Sequence, residues 1–173
     1  MKIFDCFMYY NEDFILDLRL NYLNKFIDFF VIVESLYNHK GEKKNLNFNI
    51  KNYQKFKEKI IYIVLDHLPG SIEIINDNDD EGTKNGKYIL NGYRRDNFQR
   101  NYIMNGIKNA SLDDLILISD IDEIPNLKNL NLGEIKNRLI FFKQRMCYYK
   151  FNLYLKSYNW VGTRACKKKN LIS

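Results

Sequence analysis

Asp120, Ile121, Asp122 and Glu123 stand directly after the apolar run Asp-Leu-Ile-Leu-Ile-Ser at 114–119. The run reads as a buried strand, and residues i and i+2 of an extended segment point to the same side. Asp120 and Asp122 can therefore project together into a crevice while Ile121 returns to the core. Two such carboxylates can share one divalent cation. With little thiolate or imidazole nearby, oxygen ligands favour Mg²⁺ or Mn²⁺ over Zn²⁺. An ion of this type takes one or two carboxylates and completes its shell with water and phosphate oxygens, so the implied ligand is a nucleotide diphosphate. A D-x-D triplet alone is a common solvated turn; its place between a buried strand and Pro125 sets this one apart.

Other candidates follow from position. Arg94, Arg95 and Arg100, with Gln99, lie on a helix predicted just before that strand, and an arginine can meet a phosphate or carboxylate bidentately; for Arg94 the spacing favours a solvated helix face. Glu34 and Ser35 end another predicted strand and either hydrogen-bond a base or ribose or cap the following loop. Glu123 should point away from Asp122 and serve structure. His39 and His67 lie far apart in loops without metal-ligand spacing and read as surface residues. Tyr148, Tyr149, Phe151 and Tyr154 read as core, whereas Trp160 is a candidate sugar-stacking ring. The serines lack a nucleophile-elbow motif, and Gly82, Gly86 and Gly92 form no phosphate-binding pattern, which disfavours hydrolase and P-loop chemistry.

These residues need elements to hold them. Residues 3–8 read as a strand leading into a helix capped at Asn11, whose apolar stripe is Leu16, Leu20, Leu23 and Ile27. Residues 29–33 form a continuous aromatic and β-branched run, as in a strand buried on both faces. A loop at 36–47, a short helix at 50–59 and a strand at 60–65 repeat the pattern. Residues 66–85, with Pro69, Gly70 and the acidic run 77–81, read as a mobile loop or lid. A helix is predicted over 88–110, and residues 139–155 as one long strand or a hairpin. Alternating strands and helices predict an α/β fold with a mainly parallel sheet flanked by helices, in which ligands sit outside the carboxyl ends of the strands.

At 173 residues the chain supports one domain, 1–173. Its aromatic content is 15% with only 8 Gly and 2 Pro, which favours long regular elements over a turn-rich barrel. The net charge of +6 helps attract anions but selects no partner, and Lys and Asn read mainly as polar filler. Three widely spaced cysteines support neither a disulfide framework nor a CxxC metal site and fit a reducing compartment. The N-terminus lacks the apolar region of a signal peptide, and no run approaches the ~20 residues of a membrane span. The expectation is a cytoplasmic protein, with peripheral membrane contact through basic patches as the alternative.

The segments IFDCFMYYNE, FFVIVES, DNFQRNYI and DDLILISDIDEIP, in this order, resemble glycosyltransferase family 17 over roughly the whole chain. The resemblance implies a GT-A-type (Rossmann-like) fold, a UDP-sugar donor, namely UDP-N-acetylglucosamine, a glycan or glycoconjugate acceptor, and a Mn²⁺ or Mg²⁺ ion bound through the D-x-D motif. Asp122 would ligate the metal directly, and Asp120 would contact the ribose or the metal through water. Gln99 and Arg100 match the family's QR pair, Asp96 stands at an acidic position, and Glu34 and Ser35 match its strand-end ES, all as donor-site residues. Family members continue well beyond the positions of 158–163, and their later part completes the acceptor side. A chain stopping at Ser173 reads as a short or truncated microbial or viral member: a fragment, a minimal form or a degenerate copy. No general base is assigned.

The mechanism so implied is inverting: an acceptor hydroxyl attacks the anomeric carbon in line as the diphosphate leaves. A nucleotidyltransferase is disfavoured because MYYNED is no Gly-rich phosphate loop. A basic nucleic-acid-binding module would leave SDIDEIP unexplained, so no nucleic acid is expected as partner; an inactive, binding-only transferase remnant is the other alternative.

Overall fold

The computed structural model describes residues 1–134, 138–147 and 153–171. Strand β1 (Ile3–Tyr9) leads into helix α1 (Asp13–Leu23), which returns to β2 (Phe29–Ser35). Phe30, Val31, Ile32 and Val33 are all fully buried, as a run with no polar alternation requires. A 3₁₀ helix (Ile50–Lys59) connects to β3 (Ile60–Leu65), and helix α2 (Glu81–Asn101) leads through a 3₁₀ turn (Tyr102–Asn105) to β4 (Leu115–Ser119). Strands β5 (Ile140–Cys147) and β6 (Tyr154–Lys167) follow.

The six strands form one sheet in the order β3-β2-β1-β4-β6-β5. The pairs β1–β2, β2–β3 and β1–β4 are parallel. β6 runs antiparallel to both β4 and β5, so the mainly parallel expectation describes the first four strands and the last two form an antiparallel hairpin edge. Of the aromatic residues predicted there, Tyr148, Tyr149 and Phe151 lie outside the described residues. The chain builds outward through β1, β2 and β3, then returns to place β4 on the other side of β1. That reversal opens a crevice at the carboxyl ends of β1 and its neighbours.

Two cores sandwich the sheet. On one face Phe7, Tyr9, Phe30, Ile32 and Leu117 pack under α1, through Leu16, Leu20 and Leu23, and under Tyr53 and Phe56 of the 3₁₀ helix. On the other, Phe4, Cys6, Val31, Val33 and Ile116 pack under Ile103 and Ile107.

Three local expectations are corrected. Asn11 does not cap α1: Glu12 takes the cap position without a side-chain cap bond, because its carboxylate instead accepts from the Tyr10 and Asn11 amides. Ile27 is buried, but beyond the end of the helix, after a turn in which the Phe26 and Ile27 amides donate to the Leu23 carbonyl. Helix α2 begins at Glu81 rather than Tyr88 and ends at Asn101, short of Ala110. The acidic run read as loop supplies its cap, since Asp80 accepts from the Thr83 amide (2.9 Å) and hydroxyl (2.7 Å). The loop ahead of it is pinned to α2: buried Asn91 exchanges two hydrogen bonds with the Glu73 backbone, and Arg94 bonds the Ser71 carbonyl and the Glu73 carboxylate.

Candidate functional site

A cleft of about 560 Å³ opens at the carboxyl ends of the four parallel strands. Tyr10 from the end of β1, Ser35 and His39 after β2, His67 after β3, Asp120 and Asp122 after β4, and Arg95, Asp96, Gln99 and Arg100 from α2 line it. Topology thus brings together residues from five separate stretches of chain, at the place where an open parallel sheet binds ligands.

Asp120 and Asp122 both face the cleft and Ile121 is buried, through a tight turn rather than the extended geometry expected. The Glu123 amide bonds the Asp120 carbonyl and the Ile124 amide the Asp122 carbonyl. The two carboxylates differ in environment. Arg100 donates to Asp120 Oδ1 at 2.8 Å and lies 3.5 Å from Asp96 Oδ2. Burial pulls the Arg100 guanidinium down, yet the bonds and charges of Asp120 and Asp96 outweigh it and hold its pKa above the ordinary value. Asp122 is exposed, and among the described residues its carboxylate has no partner.

Among the described residues no three His, Cys, Asp or Glu side chains gather as a ready-made metal cage. The available donor set is the two hard carboxylates, with Asp122 the freer of them. That set fits a Mg²⁺- or Mn²⁺-type ion, which draws most of its shell from phosphate and water, and fits poorly the closed nitrogen and sulfur cage of structural zinc.

The remaining expected residues fall unequally. Gln99 lines the cleft while its amide donates to the Val33 carbonyl at 3.0 Å, joining α2 to β2. Ser35 lines it too, its hydroxyl accepting from the Tyr37 amide. Glu34 lies beneath: fully buried, it accepts from Lys44 Nζ (2.6 Å), the Asn47 amide (2.8 Å), the Phe48 amide (3.1 Å) and the Tyr62 hydroxyl (2.8 Å). A carboxylate has about four acceptor positions, and all are taken in folding the loop after β2 over the strand. Glu34 therefore shapes the wall of the cleft from below.

Several lining residues escaped the sequence reading. His39 and His67 are exposed, as expected, but both sit on the cleft, His39 stacked on Tyr10 (6.3 Å between centroids) and His67 edge-on to Phe98 (5.3 Å). Arg95 donates to the His39 carbonyl (2.9 Å) and, among the described residues, pairs with no carboxylate; burial lowers its pKa from the ordinary arginine value. Arg95 is one of the three helix arginines expected to meet a phosphate or carboxylate, and it reaches the cleft one turn before Gln99.

A second groove, of about 930 Å³, lies on the other side of Arg100 and Asp120, which line both. Tyr158 and Trp160 of β6 flank it with rings 6.3 Å apart. Trp160 Nε1 donates to Glu123 Oε1, whose other oxygen accepts from the Asp120 amide, so Glu123 ties the acidic turn to β6. Gly162 permits that approach: a methyl group there would collide with Gln144 Oε1 and lie 3.1 Å from Glu123 Cδ. The basic run near the C-terminus is largely engaged, Lys167 and Lys169 with Asp113 and Lys168 with the carbonyls of Lys108 and Ala110. No helix among the described residues is long and apolar enough to cross a membrane.

The profile of the family described as Glycosyltransferase family 17 matches residues 1–170. The chain is 30% identical over 120 residues to the human protein named beta-1,4-mannosyl-glycoprotein 4-beta-N-acetylglucosaminyltransferase, and equally to its Rattus norvegicus counterpart. In each case the match covers 66% of this chain and 20% of the relative, so the chain spans about a fifth of the length of these curated relatives. No solved structure matches significantly.

Proposed function

The chain belongs to glycosyltransferase family 17, and from that premise we propose that it binds a UDP-sugar, UDP-N-acetylglucosamine, in the cleft at the strand ends and transfers the sugar to a glycan hydroxyl with inversion. The strand order and the strand-end cleft support a GT-A-type reading of the fold. The observation that carries the proposal is the pairing of an Asp122 carboxylate, unpartnered among the described residues, with an Arg100-bound Asp120 in one cleft that also holds Arg95.

Asp122 is the direct metal ligand in this reading, with Asp120 nearby. When bound, the divalent cation supplies Lewis-acid neutralisation of the diphosphate's charge. Arg95 and Arg100 add fixed positive charge beside the leaving group, where charge builds as the glycosidic bond to phosphate breaks. Tyr10 and His39 offer a flat wall against which a base can stack. The in-line attack of the acceptor needs a carboxylate to take the hydroxyl proton. Of the described carboxylates on the cleft, Glu12 holds backbone amides, Asp96 and Asp120 face Arg100, and Asp122 would hold the metal. This favours a second reading, donor binding without turnover by this chain alone.

Calorimetry of UDP-N-acetylglucosamine with and without Mn²⁺, on the wild type and Asp122→Ala, tests the proposal. Metal-dependent binding lost on substitution supports it. Binding indifferent to both metal and Asp122, or no binding at all, refutes the donor assignment, and measurable binding without glycan product selects the second reading.

A further inference from the structure

Arg19 is an arginine with no exposed surface, on a helix whose neighbouring inward residues are Leu16, Leu20 and Leu23. Its five N–H donors are all used. Nε and Nη2 grip both oxygens of buried Asp5 at 2.8 and 2.6 Å, and Nη2 also donates to Ser119 Oγ at 2.6 Å. Nη1 reaches the carbonyls of Asp120 (3.0 Å), Ile121 (2.9 Å) and Glu123 (3.3 Å). The guanidinium also lies over the Phe7 ring, 4.6 Å from its centroid. Asp5 and Ser119 together take half of these six bonds; the other half is directed at the backbone of the acidic turn.

We propose that Arg19 is a positioning residue, clamped by Asp5, that holds the 120–123 backbone from beneath so that the Asp122 carboxylate is presented to the cleft; the functional part of this inference rests on the donor-site reading above. The arrangement has a physical rationale. Three carbonyls converge at the end of β4, where the sheet ladder has stopped; those of Asp120 and Glu123 also accept from the Glu123 amide and the Thr163 hydroxyl, while that of Ile121 rests on Arg19 among the described residues, and a buried carbonyl without a donor is costly. A planar fork serves both the carboxylate and the carbonyls at once. A lysine presents three donors at one point and cannot span them. Thr163 Oγ1 holds the Glu123 carbonyl from the neighbouring strand β6 at 2.7 Å, so the turn is fixed from two sides while the Asp122 carboxylate faces the cleft.

Two variants separate this role from a general core requirement. Arg19→Lys keeps the charge opposite Asp5. The double variant Asp5→Leu with Arg19→Met removes the buried charges together, a replacement that tends to preserve stability, but takes the Arg19 donors from the turn. Amide hydrogen exchange is read at Glu123 and Ile124, whose N–H groups close the turn, against β4 amides as the control, and UDP affinity is read in the presence of Mn²⁺. The expectation in both folded variants is exchange at Glu123 and Ile124 at least tenfold faster with β4 unchanged. UDP affinity is expected to fall at least tenfold, with no further fall when the substitution is made in Asp122→Ala. Wild-type exchange at those amides in a folded variant would overturn the proposal, as would an affinity loss undiminished in the Asp122→Ala background. Failure of both variants to fold would assign Arg19 to the core and also overturn it. Should the wild type bind no UDP with Mn²⁺, the donor reading fails by itself and the exchange data still decide the positioning role.

Discussion

Arg100 donates to Asp120 Oδ1 at 2.8 Å, whereas Asp122, two residues on, meets no cation among the described residues. One carboxylate of the pair is therefore already balanced by a fixed charge from α2, and the other stands ready for a mobile one. Replacing Arg100 should move two affinities in opposite directions. In Arg100→Gln, Mn²⁺ alone is expected to bind more tightly, by about threefold to tenfold, because a like charge has left its neighbourhood. UDP in saturating Mn²⁺ should bind about tenfold more weakly, roughly 1.4 kcal/mol, because the diphosphate loses a partner. Separate titrations of metal and nucleotide check both signs.

Arg95 should matter for the nucleotide and little for the metal. Its guanidinium donates to the His39 carbonyl and, among the described residues, pairs with no carboxylate. Arg95→Ala is expected to weaken UDP binding about tenfold and to flatten its dependence on ionic strength, since one of the screened attractions is gone. Arg95→Lys should recover the salt dependence but only part of the affinity. Affinities measured across a salt series decide it.

The buried Glu34–Tyr62 contact predicts an alkaline weakness. Burial, then the hydrogen bond and charge of Glu34, raise the Tyr62 phenol above its ordinary pKa. The unfolded chain therefore releases that proton at lower pH than the folded one. The stabilisation is complete below the ordinary tyrosine range and is lost as pH rises through it toward the folded value. Tyr9 and Tyr53, both bonded to Asp13 and both raised by burial first, add slope in the same direction. Tyr62→Phe should cost about 1–2 kcal/mol at neutral pH by removing a bond to a charged acceptor, and should make the loss of stability on the alkaline side shallower. Denaturant midpoints at pH 8 and pH 11 are the measurement.

How much of this was legible in the sequence depended on whether the deciding contacts were local. Strands β1 to β4 were readable because uninterrupted runs such as Phe29 to Val33 have no other stable home than a doubly covered sheet. Asp120 and Asp122 were readable because a polar doublet follows one of those runs. The start of α2 was not, because its first turns carry almost no apolar residues; Asp80 and the anchored loop hold them. Glu34 shows where position alone stops: a strand end suits either a ligand contact or a loop cap, and the loop after β2 folds back onto all its acceptors. Arg19 and Asp5 are not legible singly, because neither stands out within its own element. An arginine on the helix stripe between Leu16 and Leu20, facing an aspartate inside a buried strand, is a signal only when the two are considered together.

The position of β4 has a consequence for the order of events as the protein is made. Arg19 meets the acidic turn across 101 positions of sequence, and β4 pairs with the first strand of the chain. Contacts of such separation form after the local ones, once the loop-closure cost is met. At a synthesis rate of about 5–20 residues per second, a nascent chain waits on the order of 5 s or more between the emergence of the arginine and that of its partner. During that interval β1, α1, β2 and β3 can associate, but Arg19 has Asp5 and the Phe7 ring without Ser119 or the acidic turn. Metal-dependent nucleotide affinity would then be acquired in a single late step, which makes ligand capture by ribosome-bound chains of increasing length a direct clock for the docking of β4.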